Sequence, residues 1–117
     1  MKYELVYSTD FAQTPLYKTL VTFVGNCNGV IPKMTCQGRK LFAGRIRWEL
    51  GCITQLLLHA AATKRANKRQ HFIALTQQHL QVACGLLQCC CDLKFLPAKA
   101  YETVVAQLPP VGEQEEV

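Results

Sequence analysis

Seven cysteines, three histidines and thirteen lysines and arginines are the side chains of this 117-residue sequence with the most chemistry to offer. The cysteines are Cys27, Cys36, Cys52, Cys84 and the run Cys89-Cys90-Cys91. They form no CxxC pair and no Cys/His set with zinc-finger spacing, and their number is odd, which speaks against a zinc site and a disulfide framework. Three adjacent helical residues point about 100° apart, so the run cannot close on one soft metal ion without breaking the helix. The expectation is reduced, mostly buried thiols acting as small apolar side chains, with no cofactor.

His59, His71 and His79 are the remaining candidates for acid–base or metal chemistry. On a helical hairpin turning near residue 66, His59 and His71 lie at similar depth and could approach each other. A metal site there would need a third ligand, and no carboxylate lies close in sequence. The sequence also lacks paired carboxylates of the Glu-x-x-His kind, a phosphate loop, GxSxG and HExxH. No catalytic residue is expected, and the chain reads as a non-enzyme.

Charge is the stronger signal. The formal net charge is +5, but its distribution is uneven. From Lys18 to Arg69 ten basic residues face a single acid, Glu49, whereas from Gln70 onward there are two basic residues and five acids. One basic group is Lys33, Arg39, Lys40, Arg45 and Arg47, and a second is Lys64, Arg65, Lys68 and Arg69. Positive charge concentrated in this way suits a polyanion such as RNA or DNA, bound through phosphates with little base selectivity. The alternative is a solvated surface on a scaffold that binds only proteins.

The elements that must carry these groups read as helices. Thr14-Pro15 is a helix start, a capping hydroxyl followed by proline at the first position, and Leu16, Leu20, Phe23 and Cys27 follow at helical spacing to about Asn26–Gly29. Ile31-Pro32-Lys33 reads as an extended connector, since a residue before proline is pushed out of helical space. A long second helix begins near Thr35 to Arg39 and runs to about Thr63 on the stripe Phe42, Ile46, Leu50, Ile53, Leu57 and Ala60 or Ala61. Gly44 and Gly51 each cost it about 1 kcal/mol relative to alanine. Either a helix or another chain comes close there, or the helix simply tolerates them.

After a polar break at residues 63–69, with Asn67 as a plausible cap, a third helix carries Phe72, Leu75, His79, Val82, Leu86, Cys90 and Leu93 in steps of three and four. It ends at Leu96-Pro97, and a last helix runs from about Ala98 to Leu108. The predicted fold is therefore all-α, an up-down four-helix bundle over residues 1–112, followed by an acidic tail at 113–117 expected to be disordered. No apolar run is long enough for a membrane helix. MKYELVYSTD lacks the apolar core and cleavage site of a signal peptide, so cytoplasmic residence is expected.

Several of these features also occur together in a known family. Ile31-Pro32-Lys33 followed by Arg39, the long helix with Leu50 and Leu56-Leu57 leading to Ala60-Ala61, the basic break, Leu93 with Phe95-Leu96, and Tyr101 with Val105, Leu108 and Val111-Gly112 resemble the accessory variability determinant (Avd) proteins of diversity-generating retroelements. They also resemble the wider four-helix-bundle family of ribosomal-RNA intervening sequences. The likeness covers about four-fifths of the chain, from Leu20 to Gly112. Two departures stand out: no glycine follows Leu96, and Glu113 to Glu116 replace the family's basic continuation. The resemblance implies a homopentameric barrel of bundles that partners a reverse transcriptase and binds nucleic acid during mutagenic copying of a template into a variable gene.

Overall fold

The computed structural model describes residues 13–106 and Leu108, and these are all-helical. Helix α1, Pro15–Val30, starts as its sequence dictates: the Thr14 hydroxyl accepts a hydrogen bond from the Tyr17 amide, and Pro15 occupies the first turn, where no amide hydrogen is needed. It buries Leu16, Leu20, Phe23, Cys27 and Val30. Helix α2 is continuous through an α-helical turn at Cys36–Gly38, a π-helical turn at Arg39–Ala43 and a regular stretch at Gly44–Ala62. The Thr35 hydroxyl caps it by accepting from the Gly38 amide at 3.0 Å. Helix α3, Ala66–Asp92, returns after a connection of only Thr63, Lys64 and Arg65, and α4 spans Ala98–Val105.

Helices α2 and α3 form an antiparallel hairpin. Phe42 meets Phe95, Trp48 meets His79, and His59 stacks on Phe72, so sequence positions rise on one helix as they fall on the other. Helix α1 packs on α2 and α4, and α4 packs back on α3, which closes the four helices around one core. That core contains Phe23, Ile46, Ile53, Leu57, Leu80, Leu87 and Val104. Among the described residues no helix is long and apolar enough to cross a membrane. The acidic tail lies outside the described residues.

Several expectations need correction. Ile31-Pro32-Lys33 is a 3-10 turn rather than an extended connector, with Ile31 at φ −56° and ψ −43°. The steric bias before proline is overcome because Ile31 is buried and its carbonyl accepts from the Met34 amide at 3.0 Å. Asn67 is inside α3, not at its cap; Arg65 occupies the cap position, while the Thr63 hydroxyl accepts from the Arg65 amide. The last helix ends at Val105, and Leu108 closes a turn onto the Val105 carbonyl.

The α3 stripe is also rotated. Its buried residues are Ile73, Thr76, Leu80, Ala83, Leu87 and Cys90, whereas Val82 and Leu93 are exposed and Phe72, Leu75, His79 and Leu86 are half-buried. Apolar side chains cover much of this helix, so spacing alone permits two neighbouring registers. The realised one buries Thr76, whose hydroxyl donates to the Phe72 carbonyl at 2.8 Å and needs no outside partner.

Glycine matters most at a position that carries no special local signal. A Cβ on Gly38 would lie 2.6 Å from the Phe95 Cβ, so this turn of α2 reaches the α3–α4 connection only because the position has no side chain. A Cβ on Gly44 or Gly51 would meet no described atom within 4 Å. The Phe95 segment is itself tightly fixed. Lys94 takes a left-handed conformation at φ 66°, its amide donates to the Cys91 carbonyl, and the Phe95 amide donates to the Cys90 carbonyl. This is a Schellman termination with lysine in glycine's usual place. The Phe95 carbonyl then accepts from the Thr35 amide at 2.9 Å, joining the end of α3 to the start of α2.

Candidate nucleic-acid interface

Lys33, Arg39 and Lys40 lie at the start of α2, Arg45 and Arg47 near its middle, and Lys64, Arg65, Lys68 and Arg69 beyond its far end, about 40 Å from the start at 1.5 Å per residue. At the first end Lys33 and Lys40 are exposed. Arg39 is exposed too, but its guanidinium turns inward, donating to the Met34 carbonyl at 2.6 Å and more weakly to the Pro32 carbonyl. It closes the 3-10 turn onto the start of α2. Arg47 is exposed beside Gly51, Asn28 and Thr54 in a shallow groove between α1 and α2.

At the far end Lys64, Arg65 and Lys68 are exposed, and Arg69 is not free in the same sense. Its Nε donates to the Ala60 carbonyl at 3.0 Å and its terminal nitrogen to the Thr63 carbonyl at 2.9 Å. The last carbonyls of α2 are thus satisfied by a side chain from α3, and the positive charge sits at the negative end of the α2 dipole. Six of the nine basic residues, Lys33, Lys40, Arg47, Lys64, Arg65 and Lys68, keep exposed cationic ends, and no ion pair between described residues involves them.

Arg45 belongs to a different arrangement. Its guanidinium lies 3.3 Å from one carboxylate oxygen of Glu49, and His79 Nδ1 lies 2.7 Å from the other. Glu49 is 1% exposed, a core residue and not half of a surface pair as its i,i+4 spacing to Arg45 suggests. Both partners come from the rim of the hairpin, so the buried carboxylate is shared between α2 and α3. Trp48 packs outside this pair, with the Arg45 guanidinium 5.1 Å over its ring and the His79 ring 6.0 Å away at its edge. Sequence reasoning noted Glu49 as the lone acid of a basic stretch, paired with Arg45, but missed its burial and its contact with His79.

His59 and His71 do lie near one another along the hairpin, but Phe72 packs against both rings. Among the described residues no three His, Cys, Asp or Glu side chains gather as a metal site requires. The cysteines are more varied than expected. Only Cys27 and Cys90 are buried, Cys52, Cys84 and Cys91 are half-buried, and Cys36 and Cys89 are exposed. The run at 89–91 divides because successive helical positions face exposed, buried and half-buried surroundings. Burial pushes the Cys27 thiol up to about 12, with nearby Cys84 adding to the effect, and pushes Cys90 up to about 11, with Cys89 and Cys91 adding. Those two thiols stay protonated and unreactive at neutral pH.

These features could neutralise phosphates along an elongated surface. Comparison with known proteins finds no matching family model, no matching curated protein and no matching solved structure.

Proposed function

We propose that this chain is a non-enzymatic, nucleic-acid-binding accessory protein that works as a homo-oligomer. The observation that carries the reading is the set of six exposed cationic side chains spread along a helical hairpin, from Lys33 and Lys40 through Arg47 to Lys64, Arg65 and Lys68. Phosphate contacts from such a set supply affinity and position without reading bases. Val21, Leu41, Leu58, Val82 and Leu93 are exposed apolar side chains that a self-contact could cover. The Avd resemblance supplies the finer reading: a pentameric barrel of up-down bundles that partners a reverse transcriptase during mutagenic copying of template RNA into a variable gene. The same apolar exposure favours a second reading, a helical scaffold that binds proteins only.

Binding measured across a salt series separates the two. For the nucleic-acid reading, affinity for RNA or DNA falls steeply with salt, by a log–log slope of about −0.9 per phosphate contact on duplex DNA. Unrelated sequences of equal length bind alike. Absence of salt-dependent retention of either nucleic acid favours the scaffold. Light scattering checks assembly, and a monomer at micromolar concentration removes the barrel.

A further inference from the structure

Trp48 combines features that its neighbours in the fold do not share. It is the only tryptophan in the chain and is 56% exposed, although it sits mid-hairpin and not at a fraying end. Its indole is nonetheless held in place. Arg45 lies over one part of the ring and His79 meets its edge, and both are fixed in turn by the buried Glu49 carboxylate between them. A rigid, exposed aromatic ring beside a guanidinium offers a flat surface for a nucleobase and a cation for the attached phosphate. Arg45 is 59% exposed at its side chain, so its outer face remains open to an anion while it braces Glu49. Cationic Lys40 and Arg47 lie on the same helix within about two turns.

We propose that Trp48 is a base-stacking site for single-stranded nucleic acid, with Arg45 engaging the phosphate of the stacked nucleotide. The proposal rests on the nucleic-acid reading above and adds a preference to it. A duplex keeps its bases stacked on one another and offers Trp48 nothing, whereas an unpaired strand presents a free π-face. Charge favours this occupant over an apolar protein surface, because Glu49 engages only part of the largely exposed Arg45 guanidinium, and docking a purely apolar group there would desolvate the rest with no new partner. Stacking is tolerant of sequence, so the site distinguishes strandedness and leaves base identity largely unread.

The lone tryptophan makes the test direct. Titrating the full chain with a fifteen-nucleotide single strand should quench and shift its fluorescence, while heparin, a polyanion without bases, and a blunt duplex should bind with little effect on the emission. Trp48→Ala should weaken single-strand binding about tenfold and leave duplex and heparin affinity unchanged, and Trp48→Phe should recover most of the loss. Light scattering on each variant shows whether assembly is retained. Equal quenching by heparin, undiminished single-strand affinity of Trp48→Ala, or loss of assembly with no recovery in Trp48→Phe overturns the stacking site. Wild-type chain that binds none of the three polyanions overturns the nucleic-acid reading itself, whereas salt-dependent binding with unresponsive tryptophan overturns only the present proposal.

Discussion

His79 Nδ1 and Glu49 Oε1 lie 2.7 Å apart, joining positions thirty residues distant in sequence across the α2–α3 hairpin. The carboxylate end of this contact is buried, and Arg45 holds its second oxygen. Removing His79 leaves the buried carboxylate short of a hydrogen bond, and removing Glu49 takes the shared acceptor from both Arg45 and His79; either costs about 1–3 kcal/mol. Glu49→Ala and His79→Ala should each destabilise the fold by that amount in urea denaturation. The double variant should lose less than the sum, because the two changes remove the same contact. Additive losses would show that each residue stabilises the hairpin through other neighbours.

Arg69 and its basic neighbours should behave in opposite ways. Arg69→Ala removes two charged hydrogen bonds that hold the end of α2 and should lower stability by about 1.5–3 kcal/mol. Lys64, Arg65 and Lys68 changed together to alanine should alter stability by less than about 0.5 kcal/mol and make the salt dependence of nucleic-acid binding shallower. Thermal melts and salt-series binding on both variants check the division. A shallower slope from Arg69→Ala alone, at full stability, would assign Arg69 to phosphate contact.

The glycines make a sharper contrast. Gly38→Ala drives a methyl group into Phe95 and should cost about 1–3 kcal/mol, since this contact fixes the start of α2 against the end of α3. Gly51→Ala meets open space and should stabilise the isolated fold by about 0.5–1 kcal/mol through helix propensity. If Gly51→Ala instead dissociates an oligomer in light scattering, the bare backbone at that position is a contact with another subunit.

Alkaline pH should destabilise the protein through its buried thiols. The folded values of Cys27 and Cys90, about 12 and about 11, lie above the ordinary 9.0, so between these limits the folded state binds more protons than the unfolded state. Their contribution is fully present below pH 9 and is lost as pH rises through 11 and 12, at up to about 1.4 kcal/mol per pH unit for each thiol. Denaturation midpoints between pH 8 and 12 check this, and Cys27→Ala should flatten the decline. At neutral pH, Cys36 and Cys89 should react with a thiol reagent in the native state, with Cys27 and Cys90 reacting only on unfolding.

Local signals with a single solution were legible in the sequence. Thr14-Pro15 fixed a helix start, and the α2 stripe from Ile46 to Ala61 matched because its apolar residues occupy one narrow face. The α3 stripe was misread by one position because Phe72, Leu75, Leu86 and Val82 make the wrong face nearly as apolar as the right one. The Schellman turn at Lys94 and the role of Gly38 depend on where Phe95 lies in space, which residue types do not encode locally. The basic clusters were visible as composition, but which cations are tied to carbonyls, as Arg39 and Arg69 are, depends on tertiary contacts.

The π-helical turn at Arg39–Ala43 acts as a phase shifter in the long helix. A regular α-helix advances about 100° per residue, and a wide turn accommodates one residue more than that pitch allows. Deleting a single residue here would rotate everything before it by about that angle relative to the stripe that begins at Ile46. Gly38 would then turn away from Phe95. The length of this turn is therefore a constraint separate from its composition: its five positions keep both ends of α2 in register with the rest of the bundle.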